Sequence, residues 1–122
     1  TKKAMAVSVR KIREVPCLVE EMSQLIGGGI PITPQYVPAE QHFQLGTAAA
    51  ENIGNRNGVI LRNHGPVAVG RNPEEAVLMV EVIEKACEIF LDQGQMFYAP
   101  IPQCYIDSER YRYLYKYGNE NT

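Results

Sequence analysis

The stretch VILRNHGPVAVGRNPEEAVLMVEVIEKACEIFLD, residues 59–92, decides the fold of this 122-residue chain. Its first part, Val59-Ile60-Leu61, is a short apolar run without interruption, which is typical of a strand buried on both faces. Asn63-His64-Gly65-Pro66 then predicts a tight turn, and Val67-Ala68-Val69 predicts a second strand that ends at Gly70. We therefore expect two strands joined by a turn that carries a histidine.

The rest of this stretch predicts a long helix. Asn72 is a good N-cap and Pro73 suits the first helical position, while the two glutamates that follow place negative charge at the positive end of the helix dipole. The helix should run to about Gln93, with Gly94 ending it. Apolar residues recur at steps of four and three and so predict one core-facing side, formed by Ala76, Val80, Ile83, Cys87 and Phe90.

Upstream of the hairpin the patterns are more varied. Residues 4–9 alternate as in a strand but also fit a helical stripe, so periodicity leaves this segment open. Residues 16–26 predict a short helix that begins at Pro16 and stops at Gly27. Residues 30–33 contain a proline that cannot donate to a central ladder, which predicts an edge strand or an extended connector.

Two further helices are expected on either side of the stretch. Residues 39–53 predict a helix with Phe43, Leu45, Ala49 and Ile53 roughly along one side. Residues 99–103 are a connector with two prolines, after which Asp107 or Ser108 can cap a final helix that stops at Gly118. Its tyrosines step by two and spread around the helix, which favours packing against a neighbour over a platform for stacking bases.

Composition limits the classes of function. Apolar residues make up 45% of the chain, so residues 1–122 can form one domain with a packed core. Twelve basic against fourteen acidic residues argue against nucleic acid or an anionic membrane as the main partner. No apolar run reaches the roughly 20 residues needed to cross a bilayer. Three cysteines without CxxC spacing, at positions 17, 87 and 104, favour a reducing compartment, and we expect a cytoplasmic protein.

Only two histidines occur, so a site with several histidine ligands cannot be built from this chain alone. His64 lies between the predicted strands and could act as a metal ligand or as a general acid or base. The alternative is a turn histidine that bonds its own backbone, and spacing alone favours that alternative. His42 is the weaker candidate, because a solvated histidine is the ordinary expectation in the first turns of a helix.

Two other motifs have ordinary structural explanations. Gly27-Gly28-Gly29 suggests a phosphate loop, but phosphate loops run from a strand into a helix, whereas here the glycines follow a helix. A helix C-cap and turn is therefore favoured. Glu20 and Glu21 are adjacent on the predicted helix and point about 100° apart, so a solvated face is favoured over a carboxylate pair.

Residues 59–92 closely resemble the C-terminal part of the class II aldolase/adducin family, from the buried strand and the Asn-His-Gly turn to the Asn-Pro-Glu-Glu-Ala helix start. Residues 4–9 (AMAVSV) and 27–36 (GGGIPITPQY) are similar to the corresponding family segments, and Lys116-Tyr117-Gly118 resembles a Tyr-Gly near the family's C-terminus. The resemblance implies an α/β fold with three α/β/α layers, a largely antiparallel central sheet and a fourfold tetramer. It also favours a helix over residues 4–11.

The resemblance implies a zinc-dependent enzyme, or one with another divalent cation, similar to the L-fuculose-phosphate aldolases. Such an enzyme cleaves a ketose phosphate to dihydroxyacetone phosphate and an aldehyde. His64 matches one of three histidine ligands, and Tyr117 matches a tyrosine that can donate a proton. The family's His-x-His pair and acidic residue come before the segment that matches residues 1–9. We therefore expect the C-terminal portion of a larger enzyme, inactive by itself.

The family also leaves alternatives open. Epimerisation of a pentulose phosphate and dehydration of a thioribulose phosphate use similar metal sites. A noncatalytic interaction domain like the adducin head keeps the fold without the metal. One family aromatic falls near Glu20, where this sequence has an acid, and another falls within residues 37–43, where an insertion blurs the match. The sugar phosphate, the stereochemistry and the metal are therefore not determined by the sequence.

Overall fold

The computed structural model describes residues 1–94 and 98–117, with only the backbone of Tyr117. The strands are short, and helices make up most of the regular secondary structure in these residues. None of the helices in these residues has the length and apolar character that a bilayer crossing requires. In chain order the elements are α1 (Lys2–Ser8), β1 (Glu14–Val15), a first π-helical turn (Met22–Ile26), β2 (Ile30–Pro31), α2 (His42–Ile53), β3 (Gly58–Leu61), β4 (Gly65–Ala68), α3 (Pro73–Asp92), α4 (Gln103–Arg112) and a second π-helical turn (Tyr113–Tyr117).

The strands form two antiparallel pairs that meet at one parallel bridge. In the first pair β1 lies beside β2, with Val15 opposite Ile30. In the second pair β3 lies beside β4, with Val59 opposite Val67. The bridge joins Ile32 to Ile60, next to the end of β2. These pairings confirm the predicted α/β class with a largely antiparallel sheet.

The position of β2 agrees with the prediction of an edge strand or an extended connector. It pairs with β1 in a two-stranded sheet, and the residue after it, Ile32, forms the single bridge to Ile60 of β3. Pro31 is tolerated there because its neighbours supply the donors: the amide of Ile32 donates to the carbonyl of Arg13 (2.8 Å) and that of Thr33 to the carbonyl of Ile60 (2.9 Å). The two residues after Pro31 therefore link their neighbours by hydrogen bonds, although Pro31 itself has no N–H to donate.

The predicted hairpin and long helix are both present. The core-facing side of the helix is predicted only in part: Ile83, Cys87 and Phe90 are buried as expected, but Ala76 and Val80 are only half-buried, and the other buried residues are Met79, Val82 and Ala86. β3 is fully buried as expected, and the Asn72 side chain accepts a hydrogen bond from the amide of Glu75 (2.8 Å), as an N-cap should. The second strand begins at Gly65, two residues before the predicted Val67, and ends at Ala68. At the other end of the hairpin Gly58 lies against α3, since a Cβ there would be 2.6 Å from Cδ1 of Ile83.

The predicted helix over residues 16–26 is wrong in its first part. Helical structure begins only at Glu20 and continues into the π-helical turn Met22–Ile26, whereas Pro16 lies in an irregular segment after β1. Long-range contacts hold this segment extended, because the carbonyl of Cys17 accepts the amide of Ile101 (2.9 Å). The predicted stop is confirmed: Gly27 has φ +100°, and its amide donates to the carbonyl of Met22.

The remaining helices are present with different ends. The apolar side predicted for residues 39–53 does not face the core, since α2 has no buried residue and Phe43 is 83% exposed. The helix implied for residues 4–11 is present as α1 but ends at Ser8, and α2 begins three residues after the predicted start. The last helix begins at Gln103, not at Asp107 or Ser108. It starts early because Pro102 occupies the N-cap position and its carbonyl accepts the amide of Ile106, whose side chain is buried.

The core lies between α3, the strands and the first π-helical turn. The N-terminal helix joins it through an unusual cap: both carboxylate oxygens of Glu84 on α3 accept backbone amides of α1, those of Lys3 (2.8 Å) and Ala4 (2.9 Å). This contact links residues 80 positions apart. Side chains that are almost completely buried include Val7, Val15, Met22, Ile26, Ile30, Ile60, Met79 and Ile83.

Candidate functional site

His64 is the chemically distinctive residue of the hairpin turn. Its amide donates to the carbonyl of Leu61 (2.9 Å), which fixes the backbone of the turn. The half-buried imidazole stacks on the ring of Tyr36, with centroids 5.3 Å apart and planes 21° apart. Its Nε2 lies 2.6 Å from the carbonyl oxygen of Val37. The imidazole is thus bonded to a segment 27 residues earlier in the chain, and not to its own turn.

The residue before His64 gives the turn its shape. Asn63 has φ +62°, a left-handed conformation that asparagine tolerates better than most residues. Its amide donates to the carbonyl of Ser8 at the end of α1 (3.1 Å). Because two different segments hold the turn, His64 is presented from a fixed backbone.

Arg62 connects the hairpin turn to two other segments, the one after α1 and the one after β2. Its amide donates to Oγ1 of Thr33 (2.7 Å) and its Nε to the carbonyl of the same residue (3.0 Å). The two terminal nitrogens of its guanidinium donate to the carbonyls of Arg10 and Ile12. Sequence reasoning missed this role, since an arginine after a buried strand has no local pattern that predicts long-range partners.

The described residues do not by themselves fit a catalytic zinc ion. A catalytic zinc ion uses three protein ligands and keeps one position open. Within residues 1–94 and 98–117 no three histidine, cysteine, aspartate or glutamate side chains lie close enough together to hold a metal. The hydrogen on Nε2 of His64 points to the carbonyl of Val37, which leaves the lone pair of Nδ1 for another partner. The site therefore offers one imidazole.

Tyr117, the predicted proton donor, ends the second π-helical turn, and its side chain lies outside the part of the chain that the structure describes. The helical turn that carries it is anchored one turn earlier. The hydroxyl of Tyr113 donates to Oε2 of Glu75 (2.7 Å), and the guanidinium of Arg71 lies 5.4 Å from the centre of the Tyr113 ring. Hydrogen bonds from the Arg71 side chain lower the pKa of Glu75 to about 2.

The other sequence candidates lie apart from the hairpin turn. His42 is exposed at the first residue of α2, in agreement with the expectation of a solvated histidine. Glu20 is also exposed, while Glu21 forms a surface ion pair with Lys85 (2.8 Å). The first glycine of the Gly27-Gly28-Gly29 run is a helix C-cap, as favoured above.

A basic cleft of about 530 Å³ opens beside the hairpin turn. Its charged lining comes from Lys11, Arg13 and Arg62, and Asn63 adds an amide side chain. Val9, Ile12 and Pro34 complete the lining. The cleft was not predicted, although the basic run at residues 10–13 was a signal that could have indicated it.

Comparison with known proteins places this geometry in a family. The family model of the Class II Aldolase and Adducin N-terminal domain matches residues 1–91. No curated protein sequence matches the chain. A solved L-fuculose 1-phosphate aldolase superposes with a TM-score of 0.84 at 20% identity, over 94% of this chain and 53% of the other.

Two further structures are similar. YgbL from Escherichia coli, with the candidate activities aldolase, epimerase and decarboxylase, has a TM-score of 0.70 at 20% identity, over 88% of this chain and 53% of its own. YgbL from Klebsiella pneumoniae has a TM-score of 0.73 at 19% identity, over 90% and 54%. The chain thus spans about half the length of these solved structures and shares their fold. Since the family model matches well over half of its residues, the chain belongs to the class II aldolase and adducin family.

Proposed function

We propose that this chain is part of a divalent-metal-dependent enzyme that cleaves a sugar phosphate between two carbons. We infer a reaction like that of L-fuculose-phosphate aldolase, with dihydroxyacetone phosphate and an aldehyde as products. Membership of the family and the aldolase-like fold support the proposal. The observation that carries it is the half-buried imidazole of His64, which the hairpin turn, Tyr36 and Val37 hold in one orientation.

His64 is proposed as one metal ligand, with the remaining ligands outside the described residues. Metal-binding histidines commonly donate their second ring N–H to a backbone carbonyl, which orients the ring. The contact from Nε2 to the carbonyl of Val37 is of this kind. Coordination then uses Nδ1, or else it displaces the Val37 carbonyl from Nε2. Either way the stacked Tyr36 ring restricts rotation of the imidazole.

Tyr117 is proposed as the proton donor. The bond between Tyr113 and Glu75 supports this role, because it anchors the helical turn that carries Tyr117 to the start of α3. A phenol can act as a general acid when it is held at a fixed place near the reacting atoms. We further propose that the tyrosine acts in a neighbouring subunit of a tetramer, so that this chain alone has no useful activity.

The organisation of the protein follows from the same proposal. We assign residues 1–122 to a single domain that corresponds to the C-terminal portion of the family's domain, with the small sugar phosphate as partner in place of nucleic acid or a membrane. The three cysteines are free, two of them buried, which supports function in a reducing compartment such as the cytoplasm. Epimerisation of a pentulose phosphate is the second candidate, and the candidate activities given for YgbL support it. An adducin-like interaction domain is the noncatalytic alternative.

Two measurements on the protein purified from its own cells test the proposal. The metal content tests for the metal site, and the intact mass tests whether this chain is part of a longer protein. We expect about one zinc or other divalent ion per chain, and release of dihydroxyacetone phosphate from fuculose 1-phosphate or a related ketose phosphate. The His64→Ala variant should lose most of the metal and the activity. The matched His42→Ala variant removes the other, exposed histidine and should keep both.

The alternatives give different results. Conversion of ribulose 5-phosphate without cleavage would replace the aldolase by the epimerase. Protein without a divalent ion, and with no gain of activity on addition of zinc, would overturn the enzyme proposal and favour the adducin-like domain. Retention of metal by the His64→Ala variant would remove His64 from the ligand set.

A further inference from the structure

A second pocket lies at the opposite end of β3 from His64. It has a volume of about 260 Å³ and is formed by β1 and the residues after it, the segment before α4 and the first turn of α4. Arg56 is part of its wall and comes just before β3, whereas His64 comes just after β3. The hairpin turn therefore contributes nothing to this pocket, which we call the α4 pocket.

The floor of the α4 pocket is apolar and uncharged. Cys17 and Ile106 line the pocket and are only 5% and 6% exposed, so they form its floor. Burial raises the pKa of the Cys17 thiol to about 11, and the thiol is therefore neutral at physiological pH. The exposed Tyr98 adds an aromatic side chain to the lining. These groups offer a place for an apolar part of a ligand.

Two opposite charges line the α4 pocket without pairing to each other. They flank Gly29: Oε2 of Glu14 is 2.8 Å from the position that a Cβ of Gly29 would take, and Nη1 of Arg56 donates to the Gly29 carbonyl (2.5 Å). Both charges act on the thiol of Cys17, whose pKa Arg56 lowers and Glu14 raises. Within residues 1–94 and 98–117 neither Glu14 nor Arg56 belongs to an ion pair. A ligand between them can therefore bind both.

Glu14 also lies near two cations outside the α4 pocket. An adjoining pocket is lined by Glu14 together with Lys11 and Arg13. In the described part of the chain no ion pair joins this carboxylate to either cation. Both cations are exposed, so water and salt screen their attraction for Glu14. They weaken the attraction of Glu14 for a ligand cation but do not replace it.

We propose that the α4 pocket binds a small zwitterion, a free amino acid with an apolar side chain. The ammonium of such a molecule would bind the Glu14 carboxylate, its carboxylate would bind the Arg56 guanidinium, and its side chain would contact the apolar floor. A ligand with a single charge would be attracted by one of the two groups and repelled by the other. The volume of the pocket lies just below the roughly 300 Å³ at which pockets for drug-sized ligands begin, which suits so small a molecule.

Titration of L-leucine into the isotope-labelled chain tests the site. We expect saturable shifts of the amide resonances of Cys17, Gly29 and Gln103, with a dissociation constant on the order of millimolar, and no shift at His64. Two compounds of nearly the same shape are matched probes: 4-methylpentanoate lacks the ammonium, and isopentylamine lacks the carboxylate. Each should bind about fivefold more weakly than leucine, because it makes one charged contact fewer.

The variant Glu14→Gln separates the proposed contact from a general change in the fold. It should weaken the affinity for leucine about fivefold, but it should not weaken that for 4-methylpentanoate, which has no ammonium to lose. The matched control Glu20→Gln removes the same charge from an exposed position outside the pocket lining. It should change the affinity for leucine less than about twofold.

The opposite outcomes would overturn the proposal. Nonsaturating shifts, or shifts confined to the surroundings of His64, would overturn the site. Equal affinities for leucine and its two analogues would overturn the assignment to a zwitterion. Equal losses in Glu14→Gln and Glu20→Gln would show that Glu14 does not contact the ligand. The titration involves neither metal nor sugar phosphate, so its outcome is independent of the proposed function.

Discussion

The hydroxyl of Tyr113 donates a 2.7 Å hydrogen bond to Oε2 of Glu75. Glu75 lies in the first turn of α3, where its backbone amide also donates to the Asn72 cap. Arg71 completes the cluster through an ion pair with the same carboxylate (2.7 Å). One carboxylate, whose side chain is only 9% exposed, therefore joins the start of α3 to the first residue of the second π-helical turn.

Removal of the Tyr113 hydroxyl tests this link. Tyr113→Phe should lower the free energy of unfolding by about 1–2 kcal/mol, because Glu75 loses a hydrogen bond in a partly buried place. Tyr111→Phe is the matched control, since Tyr111 is 56% exposed. Urea unfolding followed by circular dichroism measures both. Equal midpoints for the two variants would mean that the bond to Glu75 contributes nothing to stability.

The same carboxylate predicts a pH dependence of stability. The pKa of Glu75 is lowered from its ordinary value of 4.5 to about 2, first by hydrogen bonds from Arg71. A lowered pKa in the folded state contributes stability above the unfolded pKa, and this contribution is lost as the pH falls through the folded value. We expect Glu75 to contribute fully above about pH 5 and progressively less between pH 4.5 and 2.

Glu75→Gln isolates this contribution. The variant should be less stable at neutral pH and should lose less of its remaining stability on acidification than the wild type does. Glu74→Gln serves as control, because Glu74 is exposed in the same helical turn. Urea midpoints measured from pH 7 to pH 3 compare the three proteins. Parallel curves for wild type and Glu75→Gln would contradict the lowered pKa.

Glu84 supplies a second, long-range helix cap. Burial raises the pKa of this carboxyl, but the backbone hydrogen bonds from Lys3 and Ala4 outweigh burial and leave the pKa lowered. Glu84→Gln should destabilise the chain by about 1 kcal/mol, the usual effect of losing a good N-terminal cap. Hydrogen exchange at the amides of Lys3 and Ala4 should accelerate. Glu88→Gln, on an exposed position of the same helix, should leave these amides protected.

Substitution of Gly58 by alanine tests how the core tolerates overpacking. A Cβ at this position would lie 2.6 Å from Cδ1 of the fully buried Ile83, so Gly58→Ala should destabilise the chain by about 1–3 kcal/mol. Gly46→Ala meets nothing within 4 Å and lies inside α2, so it should stabilise by about 0.5–1 kcal/mol. Thermal or urea unfolding measures both changes.

A double variant distinguishes contact from backbone strain at Gly58. Ile83→Val removes Cδ1, and in the Gly58→Ala background it should cost less than it does alone, because the two substitutions compensate for each other. Strict additivity of the two free energies would show that the contact with Ile83 is not the cause of the destabilisation.

Local signals were enough to predict the hairpin and α3. The buried strand Val59-Ile60-Leu61 is apolar throughout, and Asn72 with Pro73 starts a helix through interactions within a few residues of the chain. The stop at Gly27 is of the same kind, because a left-handed residue after a helix is a local requirement. These features are determined by the sequence itself, since their energies arise from groups that are neighbours along the chain.

Only the tertiary structure decided which distant segments meet. Pro16 could begin a helix, but the bond between Cys17 and Ile101 holds its segment extended. The sequence alone could not show that the Val37 carbonyl binds His64, that Arg62 fixes the segment after α1, or that Lys11 and Arg13 line one cleft. These arrangements depend on contacts between residues far apart in the chain. Bringing distant segments together costs conformational entropy, and burial of the core as a whole compensates for it. No pattern among neighbouring residues therefore predicts which segments meet.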